Sequence, residues 1–166
     1  LISDNNTLTN LYNYKVFSEL YEDNISSISL SLSSANSITN DDVKLSERLY
    51  IPGKKLRGFV RGRVGPKDGA DYIGGNYYAI INFSSTLPQI LPNFQNVDFA
   101  TFVDVANLWG VDDKSLDDSS KIRSSIGLGV DWFTAVGPLS FSFAQPITKD
   151  SNDQTETFRF NLGTTF

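Results

Sequence analysis

Leu139-Ser140-Phe141-Ser142-Phe143-Ala144 alternates bulky apolar residues with small ones, and Phe158-Arg159-Phe160-Asn161-Leu162-Gly163-Thr164-Thr165-Phe166 repeats the alternation at the end of the sequence. A period of two predicts strands whose two faces meet different environments. An aromatic last residue, Phe166, suits a face that meets lipid better than one that meets water. These stretches therefore predict two closing strands with one lipid-facing side.

Five further runs follow the same period, at residues 12–20, 27–33, 77–84, 97–106 and 122–132, and no useful length has helical periodicity. The connections between successive runs are alternately short and long, and the long ones are polar, at about 36–74, 110–120 and 149–155. This sorting is typical of antiparallel outer-membrane barrels, whereas a soluble β-sandwich gives no reason for it. We predict an all-β chain of about seven antiparallel transmembrane strands.

Composition limits the possible functions. The 166 residues contain no Met, and Leu1 opens no charged-then-apolar leader, so we expect the C-terminal piece of a longer, processed protein. The absence of Cys excludes a disulfide scaffold, and a net charge of −5 argues against a nucleic-acid surface. Without His, no Ser–His or Cys–His nucleophile can form, and no paired carboxylates stand out. We therefore expect no enzymatic activity.

Two loop segments carry residues that ligand sites also use. The glycines and basic residues between 51 and 76 suggest a phosphate cradle, but no Gly-Lys-Ser/Thr ending and no following helix accompany them. The acidic run Asp112-Asp113-Lys114-Ser115-Leu116-Asp117-Asp118 could hold calcium, but its spacing matches no calcium loop. We predict a solvated loop tip for this run, and neither a metal site nor a cofactor.

One loop motif resembles a known family. Leu56-Arg57-Gly58-Phe59, followed by Gly65-Pro66 and Gly74-Gly75-Asn76, is similar to the long sixth extracellular loop of the outer-membrane protein assembly factor (BamA) family of the bacterial surface antigen superfamily. Four further motifs match in the family's order and approximate spacing: Phe102-Val103-Asp104, Arg123-Ser124-Ser125-Ile126-Gly127-Leu128-Gly129 with Trp132, Gly137-Pro138-Leu139-Ser140-Phe141-Ser142-Phe143-Ala144-Gln145-Pro146, and the final run from Phe158 to Phe166. One such motif would be weak evidence of family membership, but five in the same order from about Leu49 onward make the resemblance specific.

The resemblance implies a fold and a domain organisation. Residues 1–166 would be the C-terminal part of a sixteen-stranded up-and-down transmembrane β-barrel, as strands ten to sixteen. So few strands cannot close around the lumen of the larger barrel, so we expect a curved open sheet. The long loop, about residues 36–74, would fold inward, and the family's periplasmic domains would lie upstream and be absent from this chain.

The resemblance also implies a latch between the loop and the barrel wall. In the family the loop Arg is held by acidic residues on the wall. Arg57, Gly58 and Phe59 match the loop motif, and Asp104 matches one acidic partner. An Arg buried in the lumen must be paired, because stranding a charge there is costly. Asp104 alternates with the valines of its strand, so it points inward if they face lipid.

Two positions depart from the family's pattern. The place of a second acidic partner is expected at Ser84, and Ala106 stands where a Gly normally follows the Asp by two. We therefore expect a loop anchor that is weaker or differently wired.

The resemblance implies an insertase that folds β-barrel proteins into the outer membrane of a Gram-negative-type bacterium. Its partners would be membrane lipid, unfolded outer-membrane proteins and accessory assembly lipoproteins, the last mostly through the missing periplasmic domains. The last strand would form one side of a weak seam and an assembly signal, through Phe158, Phe160, Leu162, Gly163 and Phe166. A two-partner-secretion or translocation-module barrel, a passive porin and a soluble β-sandwich binding domain remain as alternatives.

Overall fold

Seven antiparallel strands form the framework of the chain. The computed structural model describes residues 7–39, 41–87, 96–113, 115–135 and 137–162. The sheet contains β1 (Thr7–Ser18), β2 (Ser26–Ser37), β5 (Tyr77–Thr86), β6 (Val97–Trp109), β7 (Arg123–Thr134), β8 (Gly137–Thr148) and β9 (Phe158–Leu162). Between β2 and β5 lie two 3-10 turns, Leu45–Glu47 and Gly53–Lys55, and a small hairpin of β3 (Lys67–Asp68) and β4 (Asp71–Tyr72).

The order of the sheet is β1-β2-β5-β6-β7-β8-β9, and each strand pairs antiparallel with its neighbour. β1 and β9 lie at opposite edges, so the sheet is open. The predicted all-β fold of seven antiparallel strands in an open sheet is therefore confirmed. The short connection expected between the runs at 77–84 and 97–106 lies mostly outside the described residues.

The two faces of the sheet differ as the period of two predicts. On one face apolar side chains are bare, and Leu128 and Leu162 are 52% and 71% exposed. On the other face β2 presents a row of buried serines, among them Ser29, Ser31 and Ser33. A slip of one residue would exchange these two sets, so lipid on one side and a polar interior on the other fix the register.

The hydrophobic core lies between the inner face of the sheet and the loop of residues 38–76. Its members from the loop are Ile51, Leu56, Phe59 and Val64, and those from β5 and β6 are Tyr78, Ile80, Ala106 and Leu108. Burial of these side chains drives the loop onto the sheet, because each fully buried large apolar side chain contributes about 1.5–3 kcal/mol. Ala106 is part of this core and is 1% exposed, so its methyl group packs there without displacing the loop.

Among the described residues, no helix has the length and apolar character needed to cross a bilayer.

Candidate functional site

The side chains of Arg57 and Asp104 meet where the loop touches the sheet. Arg57 Nε lies 2.7 Å from Asp104 Oδ2, and Nη2 lies 2.7 Å from Oδ1. Two parallel charge-assisted hydrogen bonds of this kind form the strongest side-chain pairing available to an Arg. We call this pair the latch.

Asp104 receives more than the guanidinium. The backbone N–H of Arg57 donates to Oδ2 at 3.0 Å, and Asn82 Nδ2 donates to Oδ1 at 2.8 Å. Asp104 is fully buried, so four donors offset the cost of removing its carboxylate from water. Asn82 also donates to the carbonyl oxygen of Lys55 at 2.7 Å, which ties the loop backbone to β5.

A second wall partner was expected at Ser84, and this expectation is wrong. The residue beside Asp104 is Asn82, which lies on the same inward face two residues earlier. In the β5–β6 register Asn82 lies opposite Asp104, whereas Ser84 lies opposite Phe102. A neutral amide therefore stands beside the latch carboxylate. It can donate to that carboxylate, which a second acidic side chain could not do while ionised.

The guanidinium of Arg57 also stacks on an aromatic ring. Its Cζ lies 3.4 Å from the centre of the Phe102 ring, a cation–π arrangement. The ring has room because Gly127 faces it. A Cβ at Gly127 would lie 2.5 Å from Phe102 Cζ and would overlap the carbonyl oxygen of Phe143. Gly127 thus keeps open the space that the stack needs.

Gly58 lets the loop lie directly against the wall. Its φ of +88° is in the region that favours glycine. A Cβ there would lie 3.2 Å from the Cβ of Ala144 and 3.3 Å from the Cβ of Ser125. The preceding carbonyl, that of Arg57, accepts a hydrogen bond from Ser125 Oγ at 2.6 Å. Phe59 then turns into the core and is 1% exposed.

The loop also pairs with the segment that leads into the last strand. Phe59 and Thr155 form an antiparallel bridge. Glu156 N donates to Gly58 O at 3.1 Å, and Val60 N donates to Gln154 O at 2.9 Å. Backbone pairing therefore connects the loop to the chain just before β9.

Arg159 adds a side-chain contact between β9 and the loop. Its Nη2 donates to the carbonyl oxygen of Phe59 at 2.5 Å, and its Nη1 donates to that of Gly53. Glu156 forms an ion pair with Arg159 and accepts from its Nε at 2.5 Å. The side chain is thus oriented by Glu156 toward two loop carbonyls.

A second buried ion pair closes the other end of β7. Arg123 Nε donates to Asp153 Oδ2 at 2.9 Å, and Nη2 donates to Oδ1 at 3.1 Å, with both side chains 1% exposed. Asp153 Oδ2 also accepts from Asp150 N at 2.7 Å. This pair fixes the β8–β9 hairpin over the end of β7.

The apolar residues predicted for the last strand lie on the outer face. Phe160 stacks obliquely on Phe141 of β8, with ring centres 5.2 Å apart, and Phe158 lies 5.0 Å from Phe143. Leu162 pairs with Leu139 in the β8–β9 ladder. Gly163 and Phe166, also predicted for the seam and the assembly signal, lie outside the described residues.

Positive charge gathers beside the latch. Lys55, in the loop, has a lowered pKa, because burial disfavours its charged form and Lys15 of β1 adds a like charge nearby.

The described residues contain no cluster of three or more acidic groups arranged to hold a metal ion. In the acidic run, Asp112 accepts from Val43 N and Asn76 Nδ2, so that carboxylate ties loops together.

Sequence reasoning brought Arg57, Gly58, Phe59 and Asp104 together, and the structure places all four at this contact. It assigned no role to six further residues: Asn82, Phe102, Gly127, Arg159 and the pair Arg123–Asp153. The sequence places Asn82 on the inward face of its run, but only the observed register brings it opposite Asp104. Arg159 carries no such signal, since only the folded loop places two carbonyls within its reach.

Comparisons with known proteins match this fold and loop. A family model described as "Omp85 superfamily domain" matches residues 1–166. The outer membrane protein assembly factor BamA of Neisseria meningitidis is 31% identical, over 75% of this chain and 19% of that protein. A SAM50-like protein of Schizosaccharomyces pombe is 33% identical, over 76% of this chain and 29% of that protein.

A solved structure agrees with the sheet. BamA from Haemophilus ducreyi lacking POTRA domains 1-3 superposes with a TM-score of 0.83 and 27% identity, covering 95% of this chain and 35% of that one. The match to the Neisseria protein spans about a fifth of that relative, 19% of its length. These relatives confirm the outer-membrane localisation expected from the resemblance. Because the family model matches the whole of the given sequence, this chain belongs to the Omp85 superfamily.

Proposed function

We propose that this chain is the C-terminal part of an outer-membrane assembly factor that folds and inserts β-barrel proteins into the membrane. It would complete a sixteen-stranded barrel with strands and periplasmic domains encoded upstream. The names of its relatives support this proposal, since the Neisseria meningitidis protein is an outer membrane protein assembly factor and the Haemophilus ducreyi structure is also a BamA. The observation that carries it is the latched inner loop, in which Arg57 of the Arg-Gly-Phe motif pairs with Asp104 of the wall.

The final strand supports a seam. β9 pairs on one side with β8, through five residue pairs from Leu139↔Leu162 to Phe143↔Phe158. Its other edge, like the outer edge of β1, faces no strand among the described residues, and in the proposed barrel it would lie beside the first strand encoded upstream. An unpaired strand edge is a template on which another extended chain can form hydrogen bonds. The proposed reaction is therefore strand exchange without covalent chemistry, in which a substrate strand pairs transiently at this edge.

The proposed partners follow from these surfaces. The bare apolar face, with Ile126, Leu128 and Phe160 about half exposed, fits membrane lipid. The edge of β9 fits an unfolded outer-membrane protein. Accessory assembly lipoproteins would bind mostly through the upstream periplasmic domains. A net charge of −5 gives no basis for a nucleic-acid partner.

A reconstituted insertion assay with the full-length protein tests the proposal. Proteoliposomes containing it should accelerate the appearance of a folded, protease-resistant substrate barrel. Arg57→Ala should lower that rate, and Arg61→Ala, at an exposed position of the same loop, should not. If the full-length protein exports a soluble partner across the bilayer but leaves barrel insertion at the rate of empty liposomes, it is a secretion barrel and the proposal is wrong.

A further inference from the structure

Three contacts join the inner loop to the last strand and to the segment that leads into it, and none of them involves the latch carboxylate. The first is the bridge of Phe59 with Thr155 and its two flanking backbone hydrogen bonds. The second is the hydrogen bond from Gln154 N to Arg63 O at 3.0 Å. The third is Arg159, which reaches the loop carbonyls of Gly53 and Phe59. The loop therefore contacts β6 through the latch, β9 through Arg159, and the segment just before β9 through the backbone pairs.

The geometry of Arg159 is that of a clamp. The side chain starts on the inward face of β9, between the outward Phe158 and Phe160, and is half-buried. Glu156, three residues earlier, contacts both Nε and Nη2 of Arg159, and the two Nη groups also reach the loop carbonyls. A guanidinium can donate to two separate carbonyls at once, whereas a lysine ammonium offers a single centre.

We propose that Arg159 is a positioning residue that makes the loop and the last strand a single unit, so that release of the latch loosens the seam strand. This inference rests on the proposed seam function and names a residue that regulates it. The contacts link the position of the loop to that of β9. When the loop leaves the wall, Arg159 loses both carbonyl acceptors, and Glu156 N loses Gly58 O. Among the described residues, β9 is then held by its five pairs with β8 and by the ring contacts of Phe158 and Phe160 with that strand.

The chain provides a matched set of variants for a test in the full-length protein in lipid nanodiscs, without substrate. Amide hydrogen exchange would be followed in two peptides, one covering the loop residues 53–60 and one covering Phe158–Leu162. The variants are Arg159→Gln, Arg159→Lys, Arg57→Ala and the double variant Arg57→Ala/Arg159→Gln. Arg61→Gln is the control, because Arg61 lies in the same loop at an exposed position and carries the same charge.

Arg57→Ala should speed exchange in Phe158–Leu162 about tenfold, although Arg57 hydrogen-bonds to β6 and, among the described residues, to none of β9. Arg159→Gln should do the same in residues 53–60, and Arg159→Lys should recover part of the protection. The double variant should exchange no faster than the faster single variant, because both substitutions release one unit. Arg61→Gln should match the wild type.

Unchanged exchange of Phe158–Leu162 in Arg57→Ala, or additive effects in the double variant, would overturn the coupling. These outcomes are separate from the fate of the proposed function, since no substrate is present in the exchange experiment. If the protein inserts substrates but the loop and β9 exchange independently, the insertase proposal stands and the role of Arg159 is wrong. If exchange is coupled but no substrate is inserted, the role of Arg159 stands and the insertase proposal is wrong.

Discussion

Arg57 lies flat on the ring of Phe102, with its Cζ 3.4 Å from the ring centre, while the edge of the same guanidinium is bonded to Asp104. The ring and the carboxylate come from alternate positions of β6, so one strand presents both to the loop. The stack shields the ion pair from water on one side. In a less polar setting the attraction between the two charges is stronger. Phe102 therefore supports the latch by covering one side of the ion pair.

Gly127→Ala should disrupt this arrangement without touching any charge. The new methyl group would overlap Phe143 O and lie 2.5 Å from Phe102 Cζ, so the ring must move from beneath Arg57. Overpacking of this kind costs about 1–3 kcal/mol. Gly129→Ala is the matched control, because a Cβ there meets only Ala100 O at 3.8 Å. Urea unfolding of the full-length protein in detergent should separate the two, and equal midpoints would contradict the role of Gly127.

Removing one partner of the latch should lower the free energy of unfolding more than removing both. Arg57→Ala leaves Asp104 fully buried with the Asn82 amide as its remaining side-chain donor. Loss of one member of a buried pair costs about 3–5 kcal/mol. Arg57→Ala/Asp104→Ala should cost less than Arg57→Ala alone, and exchanging the two charges should recover part of the stability.

Protease cleavage after Lys54 and Lys55 in intact cells reports the same event. Arg57→Ala should be cleaved faster than wild type, because the loop then leaves the wall more often. Equal rates of cleavage would show that the latch does not hold the loop.

Gly58→Ala should release the loop by backbone strain and by crowding together. At φ +88° an L residue is strained, and the Cβ would press on Ala144 and Ser125 at 3.2 and 3.3 Å. Gly62→Ala separates the two causes, because Gly62 has φ +69° but nothing within 4 Å of its Cβ. Strain of this kind costs about 1–2 kcal/mol. Gly58→Ala should therefore accelerate cleavage after Lys55 clearly more than Gly62→Ala, and the opposite order would contradict the close approach at Gly58.

The sheet could be predicted from the sequence because each strand carries its own signal. The alternation of Ile126, Leu128 and Val130 with glycines and a serine predicts a strand and also predicts which residues lie on each of its faces. The position of Asn82 could not be read as directly, since it depends on how far β5 slides against β6. The acceptors of Arg159 depend on where a loop of nearly forty residues returns, and no local pattern records that. Local periodicity therefore determines the wall, and long-range packing of apolar loop residues determines the site.

Acid should loosen the β8–β9 hairpin through Asp150. The backbone N–H of Asn152 donates to this carboxylate and lowers its pKa below the usual value, outside the membrane-spanning strands. A lowered pKa in the folded chain gives stability that is present above the unfolded value, about 3.9, and is lost as pH falls through the folded value. Exchange of residues 149–157, corrected for its intrinsic pH dependence, should rise below about pH 4. Asp150→Asn should remove part of this rise, and an unchanged profile would exclude Asp150 as its source.

The aromatic residues of the final strand should matter for the protein's own assembly more than aromatic residues elsewhere on the lipid face. Phe160 lies on β9 and Phe99 lies on the same outer face of β6, paired with Val130. Truncating either one to Ala removes apolar burial of up to about 2–3 kcal/mol, so the two changes are matched in kind. If the last strand is an assembly signal, Phe160→Ala and Phe166→Ala should lower the amount of full-length protein in the outer membrane several-fold, while Phe99→Ala leaves it near wild type. Quantitative immunoblots of outer-membrane fractions measure this directly. Equal losses for Phe160→Ala and Phe99→Ala would mean that these rings act through lipid contact alone and that the last strand carries no signal.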